Sequence, residues 1–128
     1  AGWRGAFNGI IENTIKKMKT LGDNFNIIAS VGPCIGKKNY EVDKNFFKRF
    51  ISKDRKNKLF FKRKNNEKYL FDLRKFINTR LRTAGVNIID NINRDTYREH
   101  NNFFSYRRSK KLKDSDYGRC ISTIKLVN

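Results

Sequence analysis

The chain has 128 residues, a length that suits one hydrophobic core and leaves little room for two. It is 33% charged and 38% apolar, yet 13% aromatic with 11 Phe, too much apolar surface for a disordered tail, so the chain is expected to fold. A net charge of +18 points first to nucleic acid or an anionic membrane surface. However, Lys, Asn, Ile and Phe are abundant together, as a biased coding sequence would produce, and the basic residues are scattered from Lys16-Lys17 through Lys62-Arg63-Lys64 to Lys110-Lys111.

In chain order, Phe7, Ile10, Ile11, Ile15, Met18 and Leu21 recur at helical spacing and predict an amphipathic, core-facing helix ending near Gly22. Phe25 to Val31 reads as a buried strand stopped by Gly32-Pro33. After Tyr40-Glu41-Val42, a helical patch places Phe46, Phe47, Phe50 and Ile51 on one face. Residues 52–58 read as polar loop, Leu59-Phe60-Phe61 as a short strand or continued packing, and Lys62 to Lys68 as a basic loop. Leu73, Phe76, Ile77 and Leu81 predict a helix closed by Gly85, followed by a strand at Val86, Ile88 and Ile89. Phe103 to Tyr106 has strand composition, and Ile121 to Val127 is predicted as a final strand. With hairpin-like spacing late in the chain, the sum predicts an α+β fold, a mixed β-sheet packed with helices.

Cys34 and Cys120 are too few and too far apart for a disulfide scaffold or a zinc ribbon, which fits a reducing compartment. No run approaches the roughly 18 apolar residues of a spanning helix, and no secretory-type segment opens the sequence. A cytoplasmic protein with no membrane partner is the expectation. The opening at Ala1, without Met, suggests processing or a chain cut from something longer.

Three motifs mix glycine, aromatics and fixed charge: Ala1-Gly2-Trp3-Arg4-Gly5, Gly32-Pro33-Cys34-Ile35-Gly36, and Phe103-Phe104-Ser105-Tyr106-Arg107-Arg108. Arg4 beside Trp3 at a helix start suits a phosphate or carboxylate, although Trp3 as a packing staple explains it equally well. Glycines at 32 and 36 let backbone approach a ligand or simply make a turn. Phe103, Phe104 and Tyr106 could stack a planar ring while Arg107 or Arg108 holds an anion, the two groups a nucleoside and phosphate present. Cys34 with His100, oriented by Glu99 or Asn101, is a conceivable nucleophile and base, but such a pair also arises by chance. These residues lack the short ligand spacings of zinc sites.

Taken in order with Tyr40-Glu41-Val42 and Gly118-Arg119, the motifs resemble the laccase-domain, or multicopper polyphenol oxidase, family, whose members are also described as purine nucleoside phosphorylases with adenosine deaminase activity. The resemblance covers essentially the whole chain. It implies a zinc-dependent enzyme, with copper as an alternative metal, that phosphorolyses adenosine, inosine and methylthioadenosine and deaminates adenosine. It also implies that two histidines and a cysteine hold the metal and that none of them is in this chain: the histidine of the family's H-A-G-W-R-G would immediately precede Ala1, and the other two ligands lie further upstream. Asp95-Thr96 stands where the family often has Cys-Thr, and His100 matches no family histidine.

On this resemblance, residues 1–128 are the C-terminal part of one larger laccase-domain unit. Gly2, Arg4, Tyr106 and Arg107 are the candidate substrate- and phosphate-binding residues, the arginines holding anions, Tyr106 packing near the base and Gly2 allowing close backbone approach. Purine nucleosides and phosphate are the expected partners, with a homodimer or a missing N-terminal half completing the molecule and no specific nucleic acid. Two other readings stand beside it: an inactive remnant lacking its metal ligands, and a basic nucleic-acid-binding module.

Overall fold

A computed structural model describes residues 1–22 and 26–125. The predicted first helix is two helices, α1 (Trp3–Phe7) and α2 (Ile10–Lys19). Gly9 between them has φ +89, a left-handed conformation that a side chain strains and that redirects the chain. The break rotates the apolar stripe out of register: Ile11 and Ile15 are buried, whereas Ile10, Met18 and Leu21 are exposed, so only part of the stripe faces the core.

The next strand, β1 (Ile28–Val31), falls within the predicted segment, of which Phe25 lies outside the described residues. Its partner comes much later in the chain. β5 (Ile88–Asn91) pairs with it in parallel, with Ile28 opposite Ile88 and Val31 opposite Asn91.

Between them lies a three-stranded antiparallel sheet in the order β2 (Glu41–Asp43), β4 (Lys68–Phe71), β3 (Phe61–Arg63). The predicted basic loop at 62–68 is thus mostly a hairpin. The Asn65 side chain turns it, its Oδ1 accepting from the amides of Glu67 at 3.0 Å and Lys68 at 2.8 Å. Its basic residues project from the sheet into solvent, which hid the strand signal. The hairpin also sits mid-chain rather than late, and the predicted polar loop at 52–58 gives way to a 3₁₀ helix at Arg55–Phe60.

Two helices follow their predictions closely. Asp43 caps α3 (Lys44–Lys53) by accepting from the Phe46 amide at 2.7 Å. Asp72 caps α4 (Leu73–Thr83) through the Lys75 amide at 3.0 Å, and Gly85 lies just past its end. Their apolar faces meet the antiparallel sheet in an aromatic core. Phe50 packs at centroid distances of 5.0 Å from Phe71 and 5.3 Å from Phe76, and Phe50, Phe71 and Val86 are fully buried.

The predicted strand at 103–106 is not formed. Ser105 instead caps α5 (Tyr106–Leu112), its side chain accepting from the Arg108 amide, so strand-like composition gives way to a local cap. Residues 121–125 also form no strand; Ile121 and Ile124 are exposed and find no neighbouring strand among the described residues, while Leu126 and Val127 lie outside them. A parallel pair, an antiparallel sheet and flanking helices make the fold α+β.

Candidate functional site

Segments distant in sequence converge on a cavity of about 280 Å³. α1 contributes Trp3, the glycine-bracketed turn Ile35, the residue before β2 Tyr40, the segment before the Ser105 cap Phe104, and the start of α5 Tyr106 and Arg107. Thr96 and Ser105 complete the wall. Four of the sequence motifs therefore meet in space.

Arg107 is the cavity's cation. Its guanidinium donates to the Glu41 carbonyl oxygen and lies 5.2 Å from the centre of the Tyr40 ring. Burial pushes the Tyr40 phenol above its ordinary value, with the Arg107 charge opposing that shift. Tyr106, half exposed at the first position of α5, meets Tyr117 edge to face at 4.9 Å. The site thus offers a fixed positive charge against the Tyr40 ring, with Trp3, Phe104 and Tyr106 also lining the cavity.

The adjacent arginine has a different job. Arg108 donates to the carbonyl oxygens of Thr96 at 2.8 Å, Tyr97 at 2.9 Å and Phe103, tying the segment before α5 to the helix itself. Sequence reading did not separate the pair. Helical spacing after a Ser105 cap was the signal that could have, because it sends consecutive side chains in different directions.

The glycine turn is fastened to the same segment. Cys34 and Asp95 form a parallel β-bridge, and the Thr96 amide donates to the Cys34 carbonyl at 3.2 Å. Asp95 is the hub. Burial pushes its carboxyl up, but hydrogen bonds from the Gly36 amide, the Asn39 side chain and the amides of Tyr97 and Arg98 outweigh this and hold it below its ordinary value of 3.8. A Cβ on Gly36 would run into the Asp95 carboxylate, so the glycine is needed here for close approach.

Gly2 and Arg4 are not among the residues lining the cavity. Gly2 precedes α1 in extended conformation, with no atom within 4 Å of where a Cβ would stand. Arg4 is exposed, its guanidinium 5.3 Å from the centre of the Trp3 ring. His100 is exposed as well, and Glu99 does not orient it: that carboxylate accepts from the Asp95 amide at 2.8 Å and pairs with Arg94.

Cys34 Sγ accepts from the Arg74 guanidinium at 3.5 Å. Among the described residues no group of three His, Cys, Asp or Glu side chains could hold a metal ion. These residues therefore do not fit the metal that the resemblance implies. No helix among them is long and apolar enough to cross a membrane.

The sequence model of the multi-copper polyphenol oxidoreductase laccase family matches residues 1–127. The chain belongs to that family. It is 42% identical over 125 residues to a purine nucleoside phosphorylase of Rickettsia conorii, covering 97% of this chain and 52% of that protein. Against the purine nucleoside phosphorylase YfiH of Escherichia coli it is 38% identical over 128 residues, covering 99% of this chain and 49% of the relative. The crystal structure of Neisseria meningitidis protein NMB0706 superposes with a TM-score of 0.73 at 30% identity, over 84% of this chain and 44% of that one. This family member thus spans about half the length of the curated relatives it matches.

Proposed function

We propose that this family member is the C-terminal part of a cytoplasmic purine nucleoside phosphorylase that cleaves adenosine, inosine and methylthioadenosine with phosphate and also deaminates adenosine. The observation that carries the reading is one cavity lined by the Arg107 guanidinium and the Trp3, Tyr40, Phe104 and Tyr106 rings, a cation sharing a wall with ring-stacking surfaces. It is supported by the names of the relatives at 42% and 38% identity.

In phosphorolysis a phosphate oxygen forms a bond to the ribose anomeric carbon while the bond from that carbon to the purine nitrogen breaks, giving ribose 1-phosphate and the free base. Arg107 would hold the phosphate and reduce its repulsion from the electron-rich leaving base. Tyr106 would pack against the base. Arg4 is assigned a second anion contact, and Gly2 the close backbone approach, both from motif position. Zinc, or copper in its place, belongs to the complete enzyme in this reading, held by residues other than those described, and no step is assigned to it. A homodimer or the other half of the domain completes the molecule.

The test uses the whole protein, incubated with inosine at varied phosphate while hypoxanthine and ribose 1-phosphate are quantified. Equal release of both products, saturating in phosphate, is the expected result. Turnover absent at every phosphate level favours an inactive remnant, and product release indifferent to phosphate overturns phosphorolysis.

A further inference from the structure

We propose that the concavity between α5, β2 and the β3–β4 hairpin binds an oligophosphate, a chain of linked phosphates rather than a single one. This site lies beside the aromatic cavity, shares only Arg107 with it, and does not depend on the nucleoside reading.

Lys38, Lys64, Arg107, Lys110 and Lys111 line a concavity of about 450 Å³, with Glu41 the acid among its lining residues. Glu41 is already engaged, since its carboxylate pairs with Lys64 at 2.5 Å. Lys38, Arg107, Lys110 and Lys111 make no ion pair among the described residues. Cations brought together from a loop, a hairpin and a helix repel one another, and a concave wall concentrates their field. The Glu41 carboxyl is held below its ordinary value by the Lys64 hydrogen bond, with the charges of Lys64, Lys68 and Arg107 adding to it.

The geometry favours length in the ligand. One phosphate could satisfy only some of the free cations, whereas linked phosphates could reach from α5 across to Lys38. Two of these cations have anchors: Arg107 on the Glu41 carbonyl, and Lys111, whose Nζ donates to Tyr97 Oη at 3.4 Å. Anchoring reduces the side-chain entropy lost when an anion is bound.

The experiment is calorimetric titration of the whole protein with tripolyphosphate and, separately, orthophosphate at physiological salt. Saturable tripolyphosphate binding is expected, about tenfold tighter or better than that of orthophosphate, which under the proposed function also enters the neighbouring cavity at Arg107. Lys110→Ala/Lys111→Ala should weaken tripolyphosphate about tenfold, while Lys16→Ala/Lys17→Ala, an equal charge loss on α2, should change it less than about twofold. Lys38→Ala replaces the α5 double variant if circular dichroism shows that variant unfolded, with a loss of about threefold or more expected. Equal losses in the α2 and site variants, binding without saturation, or equal affinity for the two anions would each overturn the site in favour of diffuse charge.

Discussion

Arg107 bridges two elements far apart in sequence, its guanidinium hydrogen-bonded to the Glu41 carbonyl and held 5.2 Å from the Tyr40 ring centre. A planar fork can donate to a carbonyl and still offer N–H groups to an anion, which an ammonium does with less directional control. Arg107→Ala in the whole protein should therefore lower kcat/KM for phosphate about ten- to hundredfold, with Arg107→Lys recovering only part of it. Arg108→Ala should instead destabilise by about 2–3 kcal/mol through its orphaned carbonyls and leave phosphate dependence unchanged in the folded fraction. Urea denaturation alongside steady-state kinetics checks both. Identical behaviour of the two alanine variants would contradict the division of labour.

Gly36 and Asp95 form a second coupled pair. Gly36→Ala should cost about 1–3 kcal/mol, because its methyl would displace a carboxylate already pinned by Asn39 and the Tyr97 amide. Asp95→Ala should cost stability too, yet the double variant should be less damaged than the sum, because the clash disappears with the carboxylate. A double-mutant cycle by urea denaturation measures this, and strict additivity would show that the turn relaxes without moving Asp95.

The depressed carboxyl of Asp95 sets a direction for pH dependence. Its folded value lies below the ordinary 3.8, so its stabilising contribution is present above 3.8 and is lost as pH falls through the lower folded value. Urea midpoints taken from pH 5 downward (about the upper end of the carboxylate range) should fall more steeply for the native protein than for Asp95→Asn. Parallel curves would remove Asp95 as a contributor.

The parallel pair makes its own prediction. Ile28 and Ile88 sit directly opposite each other and both are exposed, although parallel sheets are ordinarily covered on both faces. A polypeptide of residues 1–128 alone should be marginally stable and bind an apolar dye, with Ile28→Lys reducing dye binding. A sharp thermal transition with strong hydrogen-exchange protection across β1 and β5 would contradict this.

The helices were readable where a local signal was complete, as in α3 and α4, where apolar period and an aspartate cap agree. The β3–β4 hairpin was not, because Lys62, Arg63 and Lys68 resemble loop residues until Phe61 and Phe71 pair across it. At 103–106 aromatic composition outweighed the Ser105 cap, although the cap was there to be seen. The candidate site was readable only as motifs: Tyr106 and Arg107 line one cavity with Trp3, but Gly2 and Arg4 are not among its lining residues. Its closure was not, since the Asp95 hub and the Arg108 carbonyl contacts depend on segments that only the tertiary fold brings into register.

Trp3 is the chain's one tryptophan, and its indole stands between two environments. It meets Phe46 of the aromatic core at 4.7 Å, and it also lines the candidate cavity. The molecule therefore carries a built-in optical reporter: a ligand entering the cavity and the loosening of the core both alter the surroundings of the same fluorophore. Quenching without a red shift would report occupancy and a red shift would report unfolding, so both can be followed in one unlabelled sample.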